Sequence, residues 1–232
     1  LNTGKYRRDW RVPLLPGTVL NVGYNWAMIR FSDVLLMYAE AVNEINGAPD
    51  ATAIAAFEEV RKRGYRGNTG LIGITPTTKT GFFNALVNER FLEFGHEGIR
   101  RYDLLRWNLL ATKIAEARTK IQQIRDRLVA PYNNIPQYIY YKNVGEEIQF
   151  YAGTNTALTA QPFWRPTQIP SPTTGWTRVD WAQHLTTASS IDGKPLWQGF
   201  ASFFVPGKSE LYPFDAATIA SYQGLLKQNP GY

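Results

Sequence analysis

The densest group of side chains able to do chemistry lies in residues 88–107, which read NERFLEFGHEGIRRYDLLRW. Glu89, Glu93 and Glu97 recur every four residues, so a helix would stack them along one face. Paired carboxylates are the acid and base of glycoside hydrolysis. Arginines flank these glutamates, however. A nearby arginine lowers the pKa of a carboxyl group, and a carboxyl group with a lowered pKa is a poor general acid. We therefore expect these charges to hold helices together rather than to catalyse a reaction.

Two other motifs resemble metal or phosphate sites without completing them. His96 precedes Glu97, but no HExxH motif follows, and His184 is the only other histidine in the sequence. The sequence has no cysteine, which excludes disulfides, a thiolate nucleophile and sulfur-ligated zinc. The glycine-rich residues 64–81 lack the Gly-Lys-Ser/Thr ending of a phosphate-binding loop, and no strand precedes them. We expect a loop between helices there, and no metal or cofactor.

Composition limits the remaining classes of protein. With 232 residues, 44% of them hydrophobic, the chain can form one well-buried domain or two small ones. Its formal charge of +6 comes from short basic clusters interleaved with acids, which argues against a nucleic-acid partner. No run approaches the ~18 apolar residues of a membrane-spanning helix. The start, LNTGKYRRDW, is neither an initiator methionine nor a signal peptide, so we expect a fragment or a processed chain.

Helical periodicity dominates the first half. The pattern of residues 26–45 predicts a helix packed on two sides, because a long apolar stripe faces one way and two further apolar residues face the other. The stripe is Phe31, Val34, Leu35, Tyr38, Ala41, Val42 and Ile45, and the opposite pair is Leu36 and Ala39. Gly47 can end this helix, and Asp50 can cap a second one over residues 51–63. The short turn makes the pair an antiparallel hairpin.

Further helices are predicted over residues 82–94 and 100–127, so residues 1–130 form a helical scaffold. Residues 131–205 contain repeated Pro, Gly, Thr and Asn breaks and two β-like runs, YIYYKNV and EIQFYAG, which predict a loop-rich excursion. Residues 206–232 predict a closing turn and a helix of about ten residues from Ala216. The expected fold class is mainly α, built of helical hairpins, with an excursion that contains short strands.

Arg90 lies within the apolar stripe of the predicted third helix. A buried ion without a partner costs several kcal/mol, so this arginine must be paired. Its candidate partners are four carboxylates: Asp33, Glu40, Glu97 and Asp103.

Four stretches occur in order along nearly the whole chain: KYRRDW, IRFSDVLLMYAEAVNE, NER with EFGHEGIRRYDLLRW, and LYPFDAATIASYQGLLKQNPGY. Together they resemble the carboxyl-terminal half of the SusD/RagB family. The resemblance implies a glycan-binding lipoprotein on the surface of a Gram-negative outer membrane. It also implies a lid over a SusC-like TonB-dependent transporter, a scaffold of tetratricopeptide-like hairpins, and a lipidated amino terminus that this chain does not contain.

The resemblance places many of the charged residues in the family's structural framework motifs and makes none of them a ligand residue. These framework positions are Arg30, Glu40, Glu89, Arg90, Glu97, Gly98, Arg100, Asp103, Arg106 and Trp107. The assignment agrees with the expectation, drawn from the residues, that the charges tie helices together.

Sugars present apolar C–H faces and many hydroxyls, so a receptor needs flat aromatic platforms beside polar side chains. The excursion supplies both. For the glycan binding that the resemblance implies, its candidate ligand residues are Tyr151, Trp164, Trp176, Trp181 and Trp197, accompanied by Asn155, Gln161, Arg165 and Arg178. Packing in the core or against the missing half is the competing explanation. Three functions stay open: a non-catalytic component of a SusC/SusD-type glycan uptake system, a helical-repeat protein-interaction scaffold without glycan affinity, and a glycoside hydrolase.

Overall fold

The computed structural model describes residues 13, 27–145, 147–153, 171–172, 174–187 and 193–232. Contacts within the chain divide it into two compact units, Leu1–Asp103 and Leu104–Tyr232. Helices make up most of the regular structure, so the mainly α fold predicted from the sequence is confirmed. The boundaries predicted at residues 130 and 205, between the helical scaffold, the loop-rich excursion and the closing turn and helix, stay a prediction.

Among the described residues, the first unit contains three helices, α1 (Phe31–Asn46), α2 (Ala51–Gly64) and α3 (Lys79–Glu93), together with the start of α4 (Arg100–Arg106). The signals that bound α1 and α2 act as predicted. Gly47 ends α1 in the left-handed conformation, with φ 73°, which costs glycine little because it has no Cβ. The Asp50 carboxylate accepts a hydrogen bond of 2.8 Å from the Ala53 N–H and so caps α2.

The orientation of α1 differs from the prediction. Its buried residues are Leu36, Ala39 and Asn43, and the prediction of a helix packed on two sides is wrong for the part of the chain that the structure describes. Most of the large apolar stripe is exposed, with Phe31 73% and Ile45 83% exposed, although Leu35 and Val42 are partly buried against the core. The small Ala39 side chain allows the backbone of α1 to approach its neighbours closely, which the bulkier stripe would prevent.

The core of the first unit forms where α1, α2 and α3 meet. Small side chains line the contact between α1 and α2, and two aromatic rings fill the space beside them. The rings of Phe57 and Phe82 lie 5.3 Å apart between centroids, within the range of a favourable aromatic pair. The cluster comprises Leu36, Ala39, Ala53, Ala56, Phe57, Val60, Phe82, Leu86 and Phe94.

The second unit contains α5 (Leu110–Asp126), a small sheet, and the short helices α6 (Gln183–Thr186), α7 (Leu196–Gly199) and α8 (Ala216–Ser221). The single helix predicted over residues 100–127 is wrong, because the chain breaks between α4 and α5. Asn108 takes φ 54° there, a left-handed conformation that a continuing right-handed helix cannot contain. The closing helix begins at Ala216 as predicted but spans only six residues.

In the described part of the chain the sheet has three antiparallel strands in the order β2–β1–β3, with β1 (Tyr138–Val144) between β2 (Glu147–Phe150) and β3 (Thr177–Asp180). The run YIYYKNV forms β1 as predicted, since aromatic and β-branched residues fit a pleated surface. The first four residues of EIQFYAG form β2. The strand β3 was not predicted, because TRVD is too short a run to stand out in a sequence.

Candidate functional site

Arg90 of α3 is buried, with 4% of its surface exposed, and it joins two carboxylates. Its Nη1 donates to Asp33 Oδ1 at 2.6 Å, and its Nε donates to Asp103 Oδ2 at 2.8 Å. Asp33 belongs to the first turn of α1 and Asp103 to α4, so one guanidinium links three helices. Both partners are among the four carboxylates expected from the sequence.

Arg30, at the start of α1, makes a second set of ion pairs. Its Nη1 lies 2.5 Å from Glu93 Oε1, and its Nε lies 2.9 Å from Glu97 Oε2. The guanidinium carbons of Arg30 and Arg90 lie 4.5 Å and 4.8 Å from the centroid of the Phe94 ring. Burial lowers the pKa of Arg30, but the hydrogen bonds to Glu97 and Glu93 outweigh burial, so this pKa lies above its ordinary value.

Glu89 is the carboxylate of this cluster that most resembles a general acid. Burial raises its pKa, Arg61 lowers it in part, and the charge of Glu93 raises it further. The raised pKa suits proton donation, but Glu89 is buried and its Oε2 lies 3.2 Å from Arg61 Nε. Glu93 is held by Arg30 and by Arg63. This geometry favours ion pairing between helices over an acid/base pair open to a substrate.

The other framework residues also make contacts through their side chains. The Nη1 of Arg100 donates to the Val87 carbonyl oxygen at 2.8 Å, which ties α4 to α3 within the first unit. In the second unit the guanidinium carbon of Arg106 lies 4.3 Å from the centroid of the Trp107 ring. Glu40 lies half-buried on α1.

One face of the sheet collects aromatic and basic side chains. Residues paired across antiparallel strands project to the same face, and the register pairs Tyr140 with Arg178 and Lys142 with Gln149. The pairing continues beyond β2, where the Tyr151 N–H donates to the Tyr140 carbonyl oxygen at 2.8 Å. We call this surface the aromatic face and define it by Tyr138, Tyr140, Lys142, Gln149, Tyr151, Trp176 and Arg178.

Ring contacts organise the aromatic face. Tyr151 and Trp176 meet edge to face, with their ring centroids 5.2 Å apart and an angle of 64° between the ring planes. The Lys142 Nζ lies 4.9 Å from the centroid of the Trp176 ring, and the Arg178 guanidinium carbon lies 4.7 Å from that of Tyr138. Lys142 and Arg178 are exposed, whereas Trp176 is half-buried. The result is a surface with flat rings and cationic hydrogen-bond donors side by side.

The candidate ligand residues predicted from the sequence separate into three groups. Tyr151 and Trp176 are brought together, as described above. Trp181 lies just after β3, where its Nε1 donates to the Pro136 carbonyl oxygen at 2.6 Å, and Trp197 lies on α7 with the Arg125 guanidinium carbon 4.2 Å from its ring centroid. Trp164, with Asn155, Gln161 and Arg165, lies outside the described residues.

Sequence reasoning missed the contribution of β1. Tyr138, Tyr140 and Lys142 stand at alternate positions of a run recognised as a strand, and alternation alone places them on one face. The sequence did not show which face of β1 would stay exposed. The structure buries the opposite face, where Ile139 is 2% exposed. The alternation of tyrosine and lysine was the available signal.

Metal-binding clusters and membrane-spanning helices are both absent from the described residues. In that part of the chain no group of three or more His, Cys, Asp or Glu side chains could hold a metal ion. No helix among the same residues is long and apolar enough to cross a membrane.

Comparison with known proteins gives consistent relationships. The model of the SusD family matches residues 16–232. A SusD-like protein, P25 of Formosa agariphila, is 32% identical over 140 residues, which are 60% of this chain and 24% of that protein. The crystal structure of a SusD homolog from Bacteroides thetaiotaomicron shares the fold with a TM-score of 0.50 and 23% identity, over 89% of this chain and 27% of that one. The chain thus spans about a quarter of the length of these relatives.

Proposed function

The chain belongs to the SusD family, and from that premise we propose that it is part of a non-catalytic, glycan-binding component of a nutrient-uptake system. The observation that carries the proposal is the pairing of Tyr151 and Trp176 on the aromatic face. Their rings are half-buried, so each is held in place while part of it stays accessible. A sugar could stack its C–H face on such a ring and bond its hydroxyls to neighbouring polar groups.

The neighbours of these rings suit hydroxyl recognition. Lys142 and Gln149 are paired on β1 and β2 and are both exposed, and they offer ammonium and amide groups beside the Trp176 ring. Backbone hydrogen bonds of the sheet hold these positions in register, so little ordering remains to be done when a ligand binds.

Replacing Trp176 by alanine tests the proposal. A glycan that binds the wild-type protein should bind the Trp176→Ala variant more weakly by about 1–3 kcal/mol, as for other aromatic anchors. The far-UV circular dichroism spectrum should stay unchanged. Trp197→Ala is the matched control, because Trp197 is also half-buried and beside a cation but lies on α7. If Trp197→Ala weakens binding and Trp176→Ala does not, the ligand binds elsewhere and the proposal is wrong in its site.

The rest of the proposal concerns the whole protein. We place it on the cell surface, anchored to the outer membrane through a lipidated amino terminus, beside a SusC-like TonB-dependent transporter. Family membership supports this assignment. Affinity purification of the full-length protein from detergent-solubilised outer membranes should recover a TonB-dependent transporter in near-stoichiometric amount. Recovery of the protein alone under mild detergent would contradict the partnership.

A second function, a helical-repeat scaffold that binds a partner protein without glycan affinity, is favoured by the outward stripe of α1. Phe31, Val34, Tyr38 and Ile45 follow the spacing of a helix that packs against another helix, yet all four are exposed. An amphipathic partner helix would suit this stripe. A tight protein complex that is lost on Val34→Asp, together with no affinity for any glycan, would favour the scaffold.

A further inference from the structure

The aromatic face carries two cations that form no ion pair among the described residues. Lys142 and Arg178 each lie over a ring, Trp176 and Tyr138 respectively, at 4.9 Å and 4.7 Å. A ring attracts a cation through its π-electron face but does not neutralise its charge. Both side chains are exposed, so their N–H groups can reach a ligand. Elsewhere in the protein, arginines such as Arg30 and Arg90 have carboxylates as partners.

The sequence around the face is depleted in acids. No Asp or Glu occurs in residues 128–145 or 149–179, whereas Lys142, Arg165 and Arg178 fall within them. Glu146, which falls between β1 and β2 in the sequence, is outside the described residues. Local negative charge that would cancel the two cations is therefore scarce.

Two carboxylates on the aromatic side of the sheet lie toward its ends. Asp180 pairs with Tyr138 and accepts hydrogen bonds from the Ala182 N–H at 3.1 Å and from Gln137 at 3.4 Å. Glu147 pairs with Val144 beside the turn. Lys142 and Arg178 lie between these two ends, where the strand register places them opposite Gln149 and Tyr140. The centre of the face is therefore cationic.

We infer that the aromatic face selects acidic glycans, whose sugars carry carboxylate or sulfate groups. The inference rests on the proposed function and specifies its ligand class. A pyranose ring stacks on Trp176 while its oxyanion accepts hydrogen bonds from the Lys142 ammonium and the Arg178 guanidinium. Hydrogen bonds between ions are roughly twice as strong as neutral ones, so the charged group adds affinity that hydroxyls do not supply.

The test compares glycans that differ in charge and share a backbone. Oligogalacturonate is paired with its fully methyl-esterified form, and a sulfated galactan oligosaccharide with its desulfated form, by isothermal titration calorimetry at low and at physiological salt. The acidic form of at least one pair should bind about tenfold more tightly, and salt should reduce that difference, because exposed charges are screened. The pair that shows the difference identifies the oxyanion.

Single-charge variants locate the effect. Glutamine keeps an N–H donor for hydroxyls but carries no charge, so Lys142→Gln and Arg178→Gln should each weaken binding of the acidic form much more than binding of the neutral form. Each variant should thereby lose most of the preference for the acidic form. Lys208→Gln is the matched control, since Lys208 Nζ also lies over a ring, 4.4 Å from the Tyr232 centroid, and neither residue belongs to the three strands. Its affinities should equal those of the wild type.

Two failures are distinguishable. Equal affinity for the acidic and neutral forms, or an equal loss in Lys208→Gln, overturns the inference and leaves glycan binding standing. Absence of binding to every acidic and neutral glycan refutes the proposed function, and the inference with it.

Discussion

Replacing Arg90 by alanine removes a cation that joins α1, α3 and α4. The change leaves Asp103, with 5% of its side chain exposed, and Asp33, with 13% exposed, without this partner. Breaking a buried ion pair from one side costs about 3–5 kcal/mol, because the remaining charge cannot regain its hydration. A domain is stable by only about 5–15 kcal/mol, so the loss should be a large share of the total.

Urea unfolding at neutral pH, followed by circular dichroism, measures the change in the free energy of unfolding. Arg63→Ala is the control, because its side chain pairs with Glu93 but is 61% exposed. An exposed pair contributes under about 1 kcal/mol, and Arg30 still holds Glu93 in that variant. The expected order of stability is therefore wild type, then Arg63→Ala, then Arg90→Ala far below.

A triple variant keeps the reasoning testable if Arg90→Ala does not fold. Arg90→Met combined with Asp33→Asn and Asp103→Asn removes all three charges together, and replacing a whole buried network is often nearly neutral. This variant should regain most of the stability that Arg90→Ala loses. The reasoning is refuted if Arg90→Ala unfolds within about 1 kcal/mol of the wild type and loses glycan binding, because Arg90 would then contact the ligand.

Incubation with a polysaccharide panel should release reducing ends only at background, and turnover that Glu89→Gln or Glu93→Gln abolishes would establish an enzyme instead. Because burial raises the pKa of Glu89, its stabilising contribution is present below its unfolded-state pKa and is lost as pH rises through the folded value. Urea titrations should therefore show Glu89→Gln gaining stability relative to the wild type as pH rises above the ordinary glutamate pKa of about 4.3, whereas a gain by the wild type would mean that the Arg61 ion pair outweighs burial. The Ala53 N–H lowers the pKa of Asp50, so this cap stabilises α2 above the unfolded-state pKa and weakens as pH falls. Thermal unfolding at neutral pH should rank the wild type above Asp50→Asn and Asp50→Ala lowest, and equal melting temperatures would contradict the capping role.

Features set by neighbouring residues could be predicted from the sequence. Asp50 caps α2, Gly47 ends α1, and the run YIYYKNV forms β1. Each depends on a side chain and the backbone within a few residues of it, or on the propensity of a short run. The pairing of Arg90 could also be predicted, because a charge that is buried within an apolar stripe requires a partner of opposite charge.

The sequence limited the carboxylate partners of Arg90 to four candidates but did not show which of them pair with it. Asp33, Glu40, Glu97 and Asp103 all satisfied the requirement of Arg90 for a carboxylate. Their distances from Arg90 depend on how α1 and α4 pack against α3, which no local pattern specifies. The structure places Asp33 and Asp103 against the guanidinium.

The direction in which α1 faces shows the same limit more sharply. Hydrophobic periodicity correctly indicates a helix, but it counts apolar residues and therefore favours burial of the larger stripe. The structure buries Leu36 and Ala39, since small side chains permit close approach to α2 and α3. Helices, caps and the β1 strand depend on interactions between residues close together in the sequence, so they could be predicted from the sequence. The aromatic face depends on β3 pairing with β1 from a distant part of the chain, and such contacts form only where burial of the whole unit offsets the entropy of closing the loop between them.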